Sequence, residues 1–250
     1  MNHIFLVSCY FLACYMCMAQ LPTQSSGSAV TGSNIDVFDT NRFSISAMQK
    51  ASKSELSYDD IEGTPYIDNN TGAANNLPLG KFYTPNFEYL ETALARYNAY
   101  TDKIEVSPLD DGVDYYFLKK EPDFLYVVLK DKKYRAYQHE NGIGYFVIVS
   151  DDDNRSCTLL KKETVSFRKA KKAESSFVTG TPDSFQRHKD MYYLKLDATI
   201  VEIPRRKKDF YKLFGKQKEA IKNYVENYKL KWNDEEDLLK ISNYYNTLLL

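Results

Sequence analysis

From Lys81 onward the apolar positions come in short runs broken by turn-forming residues, the pattern of an antiparallel meander and not of a helical domain. Candidate strands cover residues 82–83, 87–90, 93–99, 103–107, 113–118, 124–130, 133–137, 145–150, 157–162, 165–168 and 185–188. Tyr100-Thr101-Asp102 reads as one turn, Asp131-Lys132 as a hairpin tip, and residues 151–156 as the loop of a second hairpin. Turn signals spaced by about 8 to 12 residues predict a sandwich or a barrel. No long helical period occurs before residue 205, which excludes a doubly wound α/β fold for this region and the enzymes that such folds host.

The pattern then changes. Residues 191–203 read as two short strands about the Asp197-Ala198 turn, and helical spacing takes over. Phe210, Tyr211, Leu213 and Phe214 mark a first short helix, with Gly215 as its left-handed stop. Ala220, Ile221, Tyr224, Val225 and Tyr228 share one face of a second helix that ends near Leu230. Asn233 is placed to cap a third, whose stripe is Leu238, Ile241, Tyr245 and Leu248. Each helix has one apolar face to bury against the others or against a sheet. The expected fold class is therefore α+β: an antiparallel β meander of about 8 to 10 short strands followed by three short C-terminal helices.

The strand pair followed by KKDFYKLFG (207–215), KEAIKNYVENYKLKW (218–232) and NDEEDLLKISNYYNTL (233–248) resembles the end of a family of exported, β-rich Bacteroidota proteins with no assigned activity. The resemblance covers residues 80–249 and is specific in the tail. It implies export and a β-rich fold, and it carries no ligand or catalytic residue onto this chain.

The N-terminus agrees with export. Residues 4–18 are apolar and uncharged, small residues stand at Cys17 and Ala19, and Gln20 opens a polar run, which reads as a signal peptide over residues 1–19. The run is shorter than the ~20 residues a spanning helix needs. Lipid anchoring at Cys14, within Leu12-Ala13-Cys14, is the minor alternative. Cys9, Cys14 and Cys17 leave with the signal, so the mature chain keeps Cys157 without a disulfide partner. Export without disulfides suits a bacterial periplasm or cell surface. Residues 20–62 are polar without a sustained period and read as a linker or loosely docked arm. Residues 63–203 form the β domain and 204–250 the helical element packed on it.

A net charge of −1 hides an asymmetry: residues 20–157 hold 13 basic and 21 acidic residues, and residues 158–250 hold 20 and 13. The two halves face each other within one fold, or the basic half meets another envelope protein or an anionic envelope surface. Nucleic acid is not an expected partner.

Candidate chemistry is sparse. His139 and His188 are 49 positions apart and outside any metal-binding spacing, and no phosphate loop, dinucleotide fingerprint or nucleophile elbow occurs, so neither metal nor cofactor is expected. Cys157 reads as a packed strand residue. Asp151-Asp152-Asp153-Asn154 lacks the alternation, glycine and distal glutamate of a calcium loop and reads as a solvated hairpin tip, and Asp110-Asp111-Gly112-Val113-Asp114 is weaker still. The basic runs at 168–172 and 205–208 suggest anionic headgroups or glycan phosphates. No catalytic residue is assignable. The expected function is a non-enzymatic binding or assembly component of the envelope, with a small apolar ligand-binding barrel and a carboxylate-dependent hydrolase as rivals. N-terminal sequencing of the mature protein should begin at Gln20; finding Met1, or a lipid on Cys14, would overturn the export reading.

Overall fold

In a computed structural model the described residues are 48–50, 57–58, 60–67, 79–107, 116–172 and 179–249. The first strands are β1 (Met48–Lys50), β2 (Leu79–Tyr83), β3 (Tyr89–Asn98), β4 (Lys103–Ser107), β5 (Tyr116–Leu118) and β6 (Tyr126–Leu129). They continue with β7 (Lys132–His139), β8 (Gly142–Ile148), β9 (Cys157–Lys162), β10 (Val165–Arg168), β11 (Ser184–Arg187), β12 (Met191–Leu196) and β13 (Thr199–Glu202). Helices α1 (Lys207–Lys212), α2 (Lys218–Asn227) and α3 (Glu235–Thr247) follow.

All strands but β10 and β11 join one antiparallel sheet, in the order β1-β5-β4-β3-β2-β6-β7-β8-β9-β12-β13, which curls into a half-barrel. The expected α+β class, with its antiparallel meander and three terminal helices, is what the chain adopts. Where the sequence left sandwich and barrel open, the fold is a single curled sheet with β1 and β13 at its ends. β10 and β11 pair as a separate ribbon.

Alternation explains why the sheet centre is buried on both faces. Tyr134, Ala136, Tyr145 and Val147 of β7 and β8 join Phe82, Tyr97, Ile104 and Val127 in one cluster, which Leu125 and Phe124 from the crossover between β5 and β6 also enter. The intervening Tyr137, Phe146 and Ile148 join Tyr126, Leu160 and Tyr193 in a second cluster. The helices build the third, where Phe210, Phe214, Ile221, Val225, Leu238 and Ile241 pack on Cys157, Leu159 and Leu194.

Several local expectations shift. The segments at 87–90 and 93–99 merge into one strand, while Phe87 stays in the preceding turn at φ 61°, where its ring stacks 4.5 Å from Tyr83. Gly215 has φ 51°, as a left-handed stop requires. The third helix is capped by Asp234, which accepts from the Asp237 N–H, and not by Asn233. Tyr228 is 68% exposed, because α2 ends at Asn227 and the apolar stripe ends with it. Within the stretch read as a linker, Met48–Lys50 adds a strand to β5, and Tyr58 packs edge-on against Phe185.

A buried side chain helps tie the helices to the sheet. Asn246 of α3 accepts from the Cys157 N–H (2.9 Å) and donates to the Cys157 C=O (2.8 Å), taking the place of a neighbouring strand. Asn246→Ala would strand both buried groups, and urea unfolding should show a loss on the order of 2–4 kcal/mol. Leu238→Ala, at a side chain 1% exposed, should cost about 2–5 kcal/mol. Losses below about 1 kcal/mol at both positions would mean that the helices are a separable module.

Candidate functional site

β8 and β9 pair only at Val147↔Lys161 and Ile148↔Leu160. Beyond that point they splay, and Tyr145 would turn its backbone groups into a gap. Asp102, held at φ 53° in the turn between β3 and β4, fills it: its carboxylate accepts the Tyr145 N–H at 3.2 Å, the Tyr97 hydroxyl at 2.8 Å and Lys120 Nζ at 2.8 Å. Lys162 Nζ donates both to Asp102 (2.6 Å) and to the Tyr145 C=O (2.7 Å). Gly144 leaves room for this cluster. A Cβ there would lie 3.0 Å from His139 Nε2, 3.1 Å from Lys162 Nζ and 3.3 Å from Asp102 Oδ2. Burial and then the Lys162 ammonium hold the His139 imidazole below its usual 6.5, while burial lowers Lys162 against the opposing pull of Asp102.

Asp153 and Glu163 are, with Glu105, the buried carboxylates among the described residues. Asp153 accepts from the Tyr126 hydroxyl (2.6 Å), from Arg135 Nη1 (2.7 Å) and from the Tyr137 hydroxyl, and Lys195 takes its carbonyl at 2.7 Å. Burial alone would raise its pKa, but those hydrogen bonds and the Arg135 charge outweigh burial and hold the carboxyl below 3.8. Glu163 accepts from the Tyr134 hydroxyl (2.6 Å) and Lys132 Nζ (2.8 Å), with Arg187 at 3.5 Å.

The acidic turn is therefore corrected. Asp151, Asp152 and Asn154 are exposed as a hairpin tip should be, but Asp153 is 3% exposed and anchors the tip to Arg135. Asp110, Asp111 and Asp114 lie outside the described residues, as does Cys14. His139 belongs to the Gly144 cluster, and His188 is exposed beside Ser166 (2.7 Å). Cys157 is buried in the helical cluster, and burial pushes its thiol up to about 12, far from a nucleophile. Sequence reasoning missed Asp102, Lys162 and Glu163. Asp102 was legible as part of a turn, but its convergence with residues some 40 to 60 positions later follows only from strand order.

The openings of the surface lie elsewhere. One is a cleft of about 420 Å³ at the start of β12, the end of β13 and the α2–α3 connection. Met191, Tyr192, Ile203 and Pro204 supply apolar lining, Trp232 an aromatic ring, and Lys189, Asp190, Glu202, Arg205 and Asn233 the polar groups. Tyr192 donates to Glu235 Oε2 (3.0 Å), which Lys161 also meets (2.7 Å), so the lining is fixed from α3. Such a mixture can hold a ligand but presents no nucleophile with a base.

The depressed Asp153 pKa sets a pH test. A carboxyl whose folded pKa lies below its unfolded value contributes stability above about pH 4, and that contribution is lost as pH falls through the folded value. Asp153→Asn should therefore be less stable than the parent at pH 7, with the gap closing below about pH 4 in urea melts. A gap independent of pH would show that the charge of Asp153 is not what Arg135 and the tyrosines hold.

Compared with known proteins, the chain matches no family model, and neither a curated protein nor a solved structure is similar to it.

Proposed function

We propose that the chain is an exported, non-enzymatic binding or assembly component of the cell envelope, acting in the periplasm or at the cell surface through the cleft beside Trp232. One observation carries this reading: the buried carboxylates are consumed by the fold. Asp153 and Glu163 each accept from several internal donors, and Glu105 accepts from Arg96 Nε (2.6 Å) and Asn98 Nδ2 (3.0 Å). A general acid or base needs an open face toward a substrate. The cleft beside Trp232 instead combines aromatic and apolar lining with a few polar groups, which is the composition of a recognition site. Against an apolar-ligand barrel stands the close packing of the sheet, where Phe82, Tyr97, Tyr134 and Tyr145 are buried in one cluster.

Affinity capture from the native envelope, followed by mass spectrometry, tests the proposal with wild-type, Trp232→Ala and Arg205→Glu proteins. Arg205 is exposed, so its variant leaves the core intact. An envelope species retained by wild type and lost with both variants is expected. A protein that fractionates with the cytosol, or a capture profile that neither variant alters, would sink the reading.

A further inference from the structure

The positive charge of the basic half is not spread evenly. Residues 204–232 carry ten basic side chains against three acidic ones, Asp209, Glu219 and Glu226. Two of the three lie with four of the lysines around a cleft of about 310 Å³ between α1 and α2, lined by Lys207, Lys208, Lys218, Lys222, Glu219 and Glu226. Among the described residues, Lys208 and Lys222 enter no salt bridge, while Lys207 Nζ stands 5.7 Å from the rings of both Tyr211 and Trp232. Lys218 meets Glu219 at a loose 3.6 Å. Charge that the protein leaves uncompensated around a concavity is available to an anion.

A second observation is independent of charge. Tyr211 also lines this cleft; it is 5% exposed, and its hydroxyl is buried without a hydrogen-bond partner among the described residues. A buried donor left unmade costs on the order of 1–3 kcal/mol. The ring packs in the helical cluster, 5.7 Å from Phe210, and its hydroxyl is an unmet donor on a residue that lines the cleft. A neutral donor framed by ammonium groups suits a phosphate oxygen.

We propose that the cleft between α1 and α2 binds a phosphate ester, such as the headgroup of an anionic lipid. The four lysines neutralise the phosphate and the Tyr211 hydroxyl donates to it. Glu219 and Glu226 are misplaced for bare phosphate, but they can accept from hydroxyl or amine groups on the alcohol side of an ester. The ligand is thus a phosphate joined to a hydrogen-bonding alcohol, and its source is either a membrane headgroup or a soluble ester.

The test uses the full chain with two probes: glycerol 3-phosphate in solution, and phosphatidylcholine vesicles with and without phosphatidylglycerol. Binding of both phosphate probes, with glycerol 3-phosphate competing against the vesicles, identifies a site for the ester itself. Binding of the phosphatidylglycerol vesicles alone identifies the lipid as its source. In either case Lys208→Glu/Lys222→Glu should weaken binding by at least about tenfold, and Tyr211→Phe by about tenfold. Tyr211→Phe should leave the melting temperature unchanged or raised, since it deletes an unpaired polar atom. The proposal is overturned if neither probe binds, if Tyr211→Phe leaves affinity unchanged, or if Lys169→Glu/Lys171→Glu on the other basic run weakens binding equally. Failure on those terms would leave the Trp232 cleft standing, whereas a cytosolic location would sink the envelope reading without altering binding of the ester.

Discussion

A backbone N–H or C=O that turns away from a neighbouring strand must find another partner or cost the fold a lost hydrogen bond. The sheet curls into a half-barrel, and its ladder is short between β8 and β9, which pair at two positions. On one side of their short pairing, Asp102 and Lys162 take both backbone groups of Tyr145. On the other, Ser150 Oγ accepts the Leu159 N–H at 2.9 Å, and Asn246 takes both groups of Cys157. Side chains thus complete the sheet where strands do not.

That constraint also decides where the ionisable residues go. Asp102 joins a turn of the first half to Lys162 of the second, and Lys132 and Glu163 make the reverse connection. Some of the charge asymmetry between the halves is therefore resolved inside the molecule, as opposed surfaces would require. Buried pairs of this kind add little net stability over an apolar packing, because desolvation offsets much of the attraction, but removing one partner is costly. Aromatic hydroxyls extend the same logic, since Tyr97, Tyr126, Tyr134 and Tyr137 each bring an apolar ring to a core and a donor to a carboxylate.

Short apolar runs between turn signals made the strands from Lys103 to Leu196 legible, and helical stripes made Leu238 and Ile241 legible as core, because both patterns are local. Gly215 and the Asp197 turn, at φ 50°, were visible for the same reason. Asn246 was not: on a helix stripe it looks like a solvated polar position, and only the proximity of an unpaired strand edge gives it a role. Asp153 looked solvated because its three neighbours in sequence are, while the guanidinium that buries it lies 18 positions earlier. Tyr211 was read correctly as a core residue, but the sequence carried no sign that its hydroxyl would be left without an acceptor.

The contrast between the two kinds of charged group separates structure from function in this molecule. The buried carboxylates of the β domain, Glu105, Asp153 and Glu163, each accept from several donors of the same domain, so their identity is explained by the fold they complete. The lysines at 207, 208, 218 and 222 are not part of the core: α1 and α2 bury Phe210, Phe214, Ile221 and Val225 without them, and the two glutamates that share their cleft are too few to balance them. Like charges crowded on two short helices repel one another and lower the stability of the element that carries them. Folding gives no reason for that arrangement, nor for a buried hydroxyl without a partner in its midst, whereas an anion in the cleft relieves the repulsion and satisfies the donor at once.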